Sequence, residues 1–106
     1  FQVGLSRVIQ YSEEFLGGSS CPLPVYRLYY PVTAKSFGST NKAIFEEIRR
    51  IAREDGILTD PVYSSKLFLT ARQTIHDQAL DGNILLIHSG GGLALTGFMD
   101  CPMFSV

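Results

Sequence analysis

The sequence predicts an α/β fold, a three-layer open sheet of parallel strands with flanking helices. Two observations support this prediction. Segments with helical spacing of apolar residues alternate along the chain with short runs rich in aromatic and β-branched residues. The second observation is the run Ile-Leu-Leu-Ile at residues 84–87, which is continuously apolar, as in parallel strands that are covered on both faces.

The first third of the chain is predicted to contain a helix, a loop and a strand. A stripe at helical spacing precedes two glycines that favour a helix end; it consists of Leu5, Val8, Ile9, Ser12 and Leu16. Pro22 and Pro24 then predict a loop, because each proline biases the preceding residue away from helix. Residues 25–30 are rich in aromatic and β-branched side chains and stop at Pro31, so they are predicted to form a strand.

A second helix is predicted after the polar loop at residues 36–41, which contains several N-cap candidates, and Gly56 is predicted to close it. Its buried stripe is expected to comprise Ile44, Phe45, Ile48, Ile51 and Ala52. Its three arginines are expected to form a solvated face, because three glutamates lie at spacings that neutralise them within the helix.

A third helix is predicted over residues 64–80, after a turn at Asp60 and Pro61. Its apolar stripe is broad and predicts deep burial; the residues are Leu67, Phe68, Leu69, Ala71, Ile75 and Ala79. A turn at residues 81–83 then leads into the apolar run at residues 84–87.

Composition limits the classes of function. The 106 residues, of which 45% are hydrophobic and 18% charged, suffice for one compact domain or part of one. A net charge of −1 without long charged runs argues against a nucleic-acid partner. No apolar run approaches the roughly 20 residues that span a bilayer, so a soluble, cytoplasmic protein without a membrane partner is expected. Cys21 and Cys101 stand alone, which predicts reduced thiols and no metal site.

Two polar segments are candidate sites. The first, Asp60-Pro61-Val62-Tyr63-Ser64-Ser65-Lys66, places hydroxyls at a predicted helix N-terminus, which suits an anionic or polar ligand; a capped helix start is the alternative. The second, His88-Ser89-Gly90-Gly91-Gly92, follows the predicted buried strand, where ligands gather in open α/β sheets. Its glycines favour a tight turn with positive φ over a phosphate nest.

These segments carry a family resemblance. Residues 44–66 (IFEEIRRIAREDGILTDPVYSSK) and 84–91 (ILLIHSGG) resemble the C-terminal part of the pyridoxal-phosphate enzymes that include D-cysteine desulfhydrase and 1-aminocyclopropane-1-carboxylate deaminase. These enzymes belong to the tryptophan-synthase-β-like group, fold type II. The resemblance runs from Phe37 to about residue 98. It implies that residues 1–106 are the C-terminal portion of the large cofactor-binding domain, with the Schiff-base lysine and phosphate loop upstream of residue 1.

The resemblance also assigns roles to four residues. Tyr63 matches a tyrosine that faces cofactor and substrate, where a phenol can act as nucleophile or proton shuttle. Ser64 and Ser89 match cofactor-binding positions beside the pyridine nitrogen, and two hydroxyls there resemble the desulfhydrase branch more than the Glu and Leu of the deaminase branch. Phe37 matches a substrate-pocket position where the family commonly has a second tyrosine. Because phenylalanine has no hydroxyl, it is in doubt which side chains would donate and accept protons.

Other residues of these segments are given structural roles. Lys66 lies in the first turn of the third predicted helix and is expected to be structural or ion-paired, because the family's Schiff-base lysine lies elsewhere. Ser65 replaces the glycine usual in the family and is expected to crowd the helix start. His76 is expected at the surface, and His88 is expected to be a satisfied core residue.

The resemblance implies a pyridoxal-phosphate-dependent lyase or deaminase that acts on a small amino acid and is a homodimer when full length. The two hydroxyls favour β-elimination from D-cysteine, which gives sulfide, ammonia and pyruvate. The first alternative is 1-aminocyclopropane-1-carboxylate deaminase. Phe37 motivates a second, a non-catalytic amino-acid-binding or structural relative. A third, a hydrolase with Ser89 as nucleophile, lacks the Gly-x-Ser-x-Gly pattern. The 106-residue chain alone is predicted to be inactive.

Overall fold

The structure, a computed structural model, describes residues 10, 14 and 25–98. It contains helix α1 (Lys42–Glu54), helix α2 (Ser64–Asp77) and a 3-10 helix (Gly92–Phe98). The first predicted helix, at residues 5–16, lies outside the described residues except for Gln10 and Glu14, which are helical. None of the helices in the described ranges is long and apolar enough to cross a membrane.

Helix α1 begins and ends as the local sequence predicts. Asn41 caps it, since its side-chain oxygen accepts a hydrogen bond from the backbone N–H of Ile44 at 3.1 Å. Gly56 has a φ of +68° just beyond the helix, the left-handed conformation in which glycine ends helices at little cost. Four of the five predicted stripe residues are buried, whereas Ala52 is exposed. The predicted stripe is therefore correct except at its last member.

Helix α2 starts at the predicted residue and is shorter than predicted. It ends at Asp77, where the backbone N–H of Gln78 donates to Thr74 and Ala79 adopts a φ of +47°. Its buried residues are only the first three, Ser64, Ser65 and Lys66. The apolar stripe that follows them is half-buried or exposed, so the prediction of deep burial along the helix is wrong.

The predicted α/β fold is wrong for the part of the chain that the structure describes. Residues 25–30 and 84–87, the two predicted strands, have no regular secondary structure and pair with no other strand within residues 25–98. Leu85 and Ile87 are 83% and 72% exposed, so the apolar run is not covered on both faces. A strand needs a hydrogen-bonded neighbour as well as a suitable pattern, and only the pattern is visible in a sequence. The described fold is helical.

The core lies between the two helices and the 3-10 helix. Ile44, Phe45 and Ile48 are buried, and partly buried apolar residues pack against them: Ala34, Leu69, Leu95 and Phe98. The rings of Phe45 and Phe98 meet edge-to-face with centroids 6.1 Å apart. This packing fixes the 3-10 helix, which follows the glycine turn, onto α1.

Polar contacts join the two helices. The fully buried Ser65 donates its hydroxyl to the carbonyl of Ile44 at 3.1 Å, so it links the helices instead of crowding the start of α2. Glu47, whose side chain is only 2% exposed, accepts from Arg50 of its own helix and from Arg72 of α2, each at 2.8 Å. The expected pairing within α1 is present for Arg50, and the link to Arg72 adds a contact between helices.

Candidate functional site

Asp60 organises the start of α2. Its buried carboxylate accepts hydrogen bonds from the backbone N–H groups of Val62 and Tyr63, both at 2.8 Å, and of Ser64 at 3.0 Å. These are N–H groups that a helix start leaves without partners within the helix. Burial alone raises the pKa of Asp60, but the hydrogen bonds from Ser64, Tyr63 and Val62 outweigh it and hold this pKa below its usual value. Asp60 is therefore an ionised cap.

Ser64 is committed to the same cap. Its hydroxyl donates to the Asp60 carboxylate and accepts from the backbone N–H of Asp60 at 2.8 Å, and the residue is buried. The capped helix start considered as the alternative from the sequence is thus present. Because its one proton is held by Asp60, the Ser64 hydroxyl can only accept a further hydrogen bond. Its predicted contact with a cofactor stays a prediction.

Tyr63 and Phe37, the predicted catalytic and pocket residues, lie together. Their rings meet edge-to-face with centroids 5.8 Å apart and an interplanar angle of 61°. Tyr63 is 60% exposed and Phe37 is 83% exposed. The Tyr63 hydroxyl has no hydrogen-bond partner within residues 25–98, so it is available to a ligand. The structure brings these two rings together across 26 residues of sequence.

Lys66 holds the loop that carries Phe37. Its buried ammonium donates to the carbonyls of Ala34 at 2.7 Å and Ser36 at 3.2 Å. Ala34 has a φ of +49°, an uncommon conformation for a residue with a side chain. Desolvation lowers the pKa of Lys66, and the nearby charge of Asp60 opposes that shift in part. The structural role predicted for Lys66 is confirmed by these contacts.

The turn that carries Ser89 lies against the segment before α2. His88 bridges the carbonyl of Leu58 and the backbone N–H of Gly90, with both distances 3.0 Å. Gly91 has a φ of +96°, and a Cβ atom at this position would lie 2.9 Å from a carboxylate oxygen of Asp60. Ser89 itself is exposed and makes no hydrogen bond within the described residues.

The glycine turn has the positive φ values predicted for it at Gly90 and Gly91. A nest for phosphate is disfavoured here, because the ionised carboxylate of Asp60 lies beside Gly91 and repels an anion. The turn lies against Leu58 and Asp60, which come just before Tyr63 and Ser64 in the chain. His88, expected to be a satisfied core residue, is half-buried with both ring nitrogens bonded, and His76 is exposed as expected.

A groove of about 600 Å³ adjoins Tyr63. Its walls are mostly apolar and come from α2 and from the segment before α1; they include Tyr29, Pro31, Leu67, Ala71 and Ile75. Tyr63 and Lys66 also line it. Tyr63 therefore lies beside a space large enough for a small ligand.

Sequence reasoning gave no site role to Asp60 or His88. An acidic residue just before a helix start is a recognisable cap, so Asp60 had a local signal. His88 had none, because its partner Leu58 lies 30 residues earlier in the chain. Both residues connect predicted site residues to one another.

Comparison with known proteins identifies relatives. The chain is 35% identical over 83 residues to a D-cysteine desulfhydrase from Yersinia pestis (strain Pestoides F), a match that covers 76% of this chain and 25% of that protein. It is 30% identical over 78 residues to a putative 1-aminocyclopropane-1-carboxylate deaminase from Pyrococcus furiosus, covering 74% of this chain and 23% of that protein. A 1-aminocyclopropane-1-carboxylate deaminase from Cyberlindnera saturnus is 34% identical over 74 residues, covering 68% of this chain and 20% of that protein.

No family model and no solved structure matches the chain. The chain spans about a quarter of the length of the curated relatives that it matches. The chain is therefore homologous to the D-cysteine desulfhydrase and 1-aminocyclopropane-1-carboxylate deaminase family over about a quarter of the length of those relatives.

Proposed function

We propose that this chain supplies part of the active site of a pyridoxal-phosphate-dependent enzyme that acts on a small amino acid. The preferred activity is that of a D-cysteine desulfhydrase, which releases sulfide, ammonia and pyruvate. One observation carries the proposal: the two segments that resemble the family lie against each other, through the contacts of Gly91 with Asp60 and of His88 with Leu58. Candidate groups that are 26 residues apart, Tyr63 and Ser89, are thereby placed on adjoining segments.

We assign the hydroxyls of Ser64 and Ser89 to one edge of the cofactor, although neither residue lines the groove beside Tyr63. Ser89 has an exposed hydroxyl that is free to donate within the described residues, and Ser64 can accept only, since Asp60 holds its proton. A hydroxyl beside the pyridine nitrogen does not fix a full positive charge on it, unlike a carboxylate. When bound, pyridoxal phosphate supplies an electron sink for the carbanion formed at the substrate. Lys66 is not assigned to covalent attachment, because its ammonium is committed to two carbonyls.

Tyr63 is assigned the proton-transfer role. Tyr63 lines the groove, and its ring packs edge-to-face against Phe37. A proton shuttle needs a hydroxyl within hydrogen-bond reach of the reacting group. Phe37 offers packing and no proton, so we assign the transfer to Tyr63 alone and not to a pair of phenols.

Two alternatives to the desulfhydrase activity are considered. The first is the deaminase activity, since two of the matched proteins are named as deaminases. The hydroxyls of Ser64 and Ser89 resemble the desulfhydrase branch more, so we prefer the desulfhydrase activity. The second is a non-catalytic relative that binds an amino acid, which is motivated by Phe37. We also propose that the 106-residue chain alone is inactive and that the full-length protein is a homodimer.

The test is an assay of the full-length gene product for sulfide release from D-cysteine and for 2-oxobutanoate release from 1-aminocyclopropane-1-carboxylate. Sulfide release that falls by about 100-fold or more in Tyr63→Phe is expected, in line with the contribution of general acid–base groups. Tyr26→Phe is the control, because Tyr26 is exposed and does not line the groove. Cofactor binding without either product, in the wild type and in Phe37→Tyr, would favour the non-catalytic relative.

A further inference from the structure

We propose that His88 is a positioning residue that holds the turn carrying Ser89 in place before any ligand binds, as a neutral ring with its hydrogen on Nε2. The functional part of this proposal rests on the cofactor-binding role proposed for Ser89. The structural part rests on the contacts of His88 alone.

The partners of His88 determine which nitrogen carries the hydrogen. The carbonyl of Leu58, 3.0 Å from Nε2, can only accept a hydrogen bond. The backbone N–H of Gly90, which donates to Nδ1 at 3.0 Å, leaves no room for a hydrogen on that nitrogen. Both contacts are therefore made by the neutral ring with hydrogen on Nε2 and a free lone pair on Nδ1.

The ring of His88 is also held from the side of α2. It meets the ring of Phe68 edge-to-face with centroids 6.3 Å apart. Gly91, two residues after Ser89, lies so close to the carboxylate of Asp60 that a Cβ atom on it would be 2.9 Å from a carboxylate oxygen. Ser89 thus lies between the hydrogen-bonded His88 and a glycine packed close to Asp60, and Asp60 in turn holds the backbone of Tyr63 and Ser64.

This arrangement orders the turn in advance. Ser89 is exposed and makes no hydrogen bond of its own within the described residues, so its position depends on the residues on either side. A group that is already ordered loses less conformational entropy when a ligand binds. His88 acts on a ligand through Ser89, by keeping the turn against the start of α2.

Two matched substitutions separate the two hydrogen bonds. The amide of His88→Asn lies near the position of Nδ1 and can still accept from Gly90, while it no longer reaches Leu58. The amide of His88→Gln lies near the position of Nε2 and can still donate to Leu58, while it loses the acceptor for Gly90. His76→Gln is the control, because His76 is exposed and, among the residues that the structure describes, bonds only to its neighbour Asp77.

The readout is nuclear magnetic resonance of the ¹⁵N-labelled chain. In the wild type, long-range ¹H–¹⁵N correlations are expected to show hydrogen on Nε2 of His88, and the Gly90 amide is expected to exchange slowly with solvent. Exchange of that amide should become about five to ten times faster in His88→Gln, the loss of one hydrogen bond, and stay slow in His88→Asn and His76→Gln. Hydrogen on Nδ1 in the wild type, or unchanged Gly90 exchange in His88→Gln, would overturn the proposal without any variant needing to be active.

A second measurement links His88 to the ligand. In the full-length protein with pyridoxal phosphate, the cofactor's absorbance spectrum is expected to change alike in His88→Gln and Ser89→Ala. If Ser89→Ala changes the spectrum and His88→Gln does not, although Gly90 exchange is fast, the positioning role is wrong and the proposed function stands. If neither wild type nor variants bind the cofactor, the proposed function fails, and the resonance result still decides the structural part.

Discussion

Replacing Asp60 by asparagine tests the cap on which the site is built. The Asp60 carboxylate accepts three backbone hydrogen bonds and one from the Ser64 hydroxyl. An asparagine keeps one acceptor oxygen, but its NH₂ group takes the place of the other. That NH₂ group would face backbone N–H groups and cannot accept a hydrogen bond from them. Hydrogen bonds to a charged group contribute about 1.5–3 kcal/mol each, and asparagine no longer has a charge to bury. We expect a net loss of about 2–4 kcal/mol in the free energy of unfolding.

The assay is urea unfolding followed by helical circular dichroism, with Asp55→Asn as the control because Asp55 is exposed. The folded pKa of Asp60 lies below its usual value of 3.8, so its stabilisation is present above that pH and is lost as the pH falls through the folded pKa. The difference between wild type and Asp60→Asn should therefore narrow below pH 3.8. A loss no larger than that of Asp55→Asn, or a difference that is independent of pH, would show that Asp60 does not stabilise α2 as an ionised cap.

Three further substitutions test other contacts. Glu47→Gln removes the buried charge bound by two arginines, which are themselves partly exposed, and should cost about 1.5–3 kcal/mol of stability in urea unfolding. Burial alone raises the pKa of Glu47, but the hydrogen bonds and charges of Arg50 and Arg72 outweigh it and hold this pKa below 4.5. The contribution of Glu47 to the free energy of unfolding should therefore fade as the pH falls below 4.5. Gly91→Ala combines a positive φ with a close contact and should cost about 2–3 kcal/mol in the same assay. Lys66→Met removes the ammonium that donates two hydrogen bonds to the loop before α1. It should abolish the nuclear Overhauser contact between the rings of Phe37 and Tyr63.

Each of these substitutions has a matched control. Glu46→Gln changes an exposed glutamate of the same helix, and Lys42→Met changes an exposed lysine. Gly82→Ala introduces the same backbone strain without the contact, since Gly82 has a φ of +93° and nothing within 4 Å of its Cβ position. Equal losses in Gly91→Ala and Gly82→Ala would contradict the close approach to Asp60. A ring contact that persists in Lys66→Met would contradict the proposal that Lys66 holds the loop that carries Phe37.

Local signals in the sequence predicted the helices well. Asn41 and Gly56 mark the limits of α1 because capping depends only on a few neighbouring residues. The start of α2 at Ser64 was predicted for the same reason. Strands at residues 25–30 and 84–87 were predicted wrongly, because their pattern says nothing about a hydrogen-bonded partner, and no partner strand lies within residues 25–98. The burial of α2 was overestimated because it depends on what packs against the helix.

The site residues were proposed from motif context, whereas the contacts between their segments were not predicted. The roles of Tyr63, Ser64, Ser89 and Phe37 stay predictions, and the structure adds that Phe37 packs against Tyr63. The connections between segments had no sequence signal, since they join residues that are distant along the chain. The bonds of His88 to Leu58 and of Arg72 to Glu47 span 30 and 25 residues. Such contacts follow from tertiary packing, which local patterns do not encode.

The proposed site depends on the turn bearing Ser89 lying against the start of α2. A nitroxide attached to Ser89→Cys, in a chain with Cys21 and Cys101 replaced by serine, tests it through the amide signals of α2. Strong broadening is expected at Tyr63 and Ser64 and much weaker broadening at Asp77, because the 14 residues of the helix separate its ends by about 20 Å. Stronger broadening at Asp77 than at Tyr63 and Ser64 would show that the turn does not lie against the start of α2.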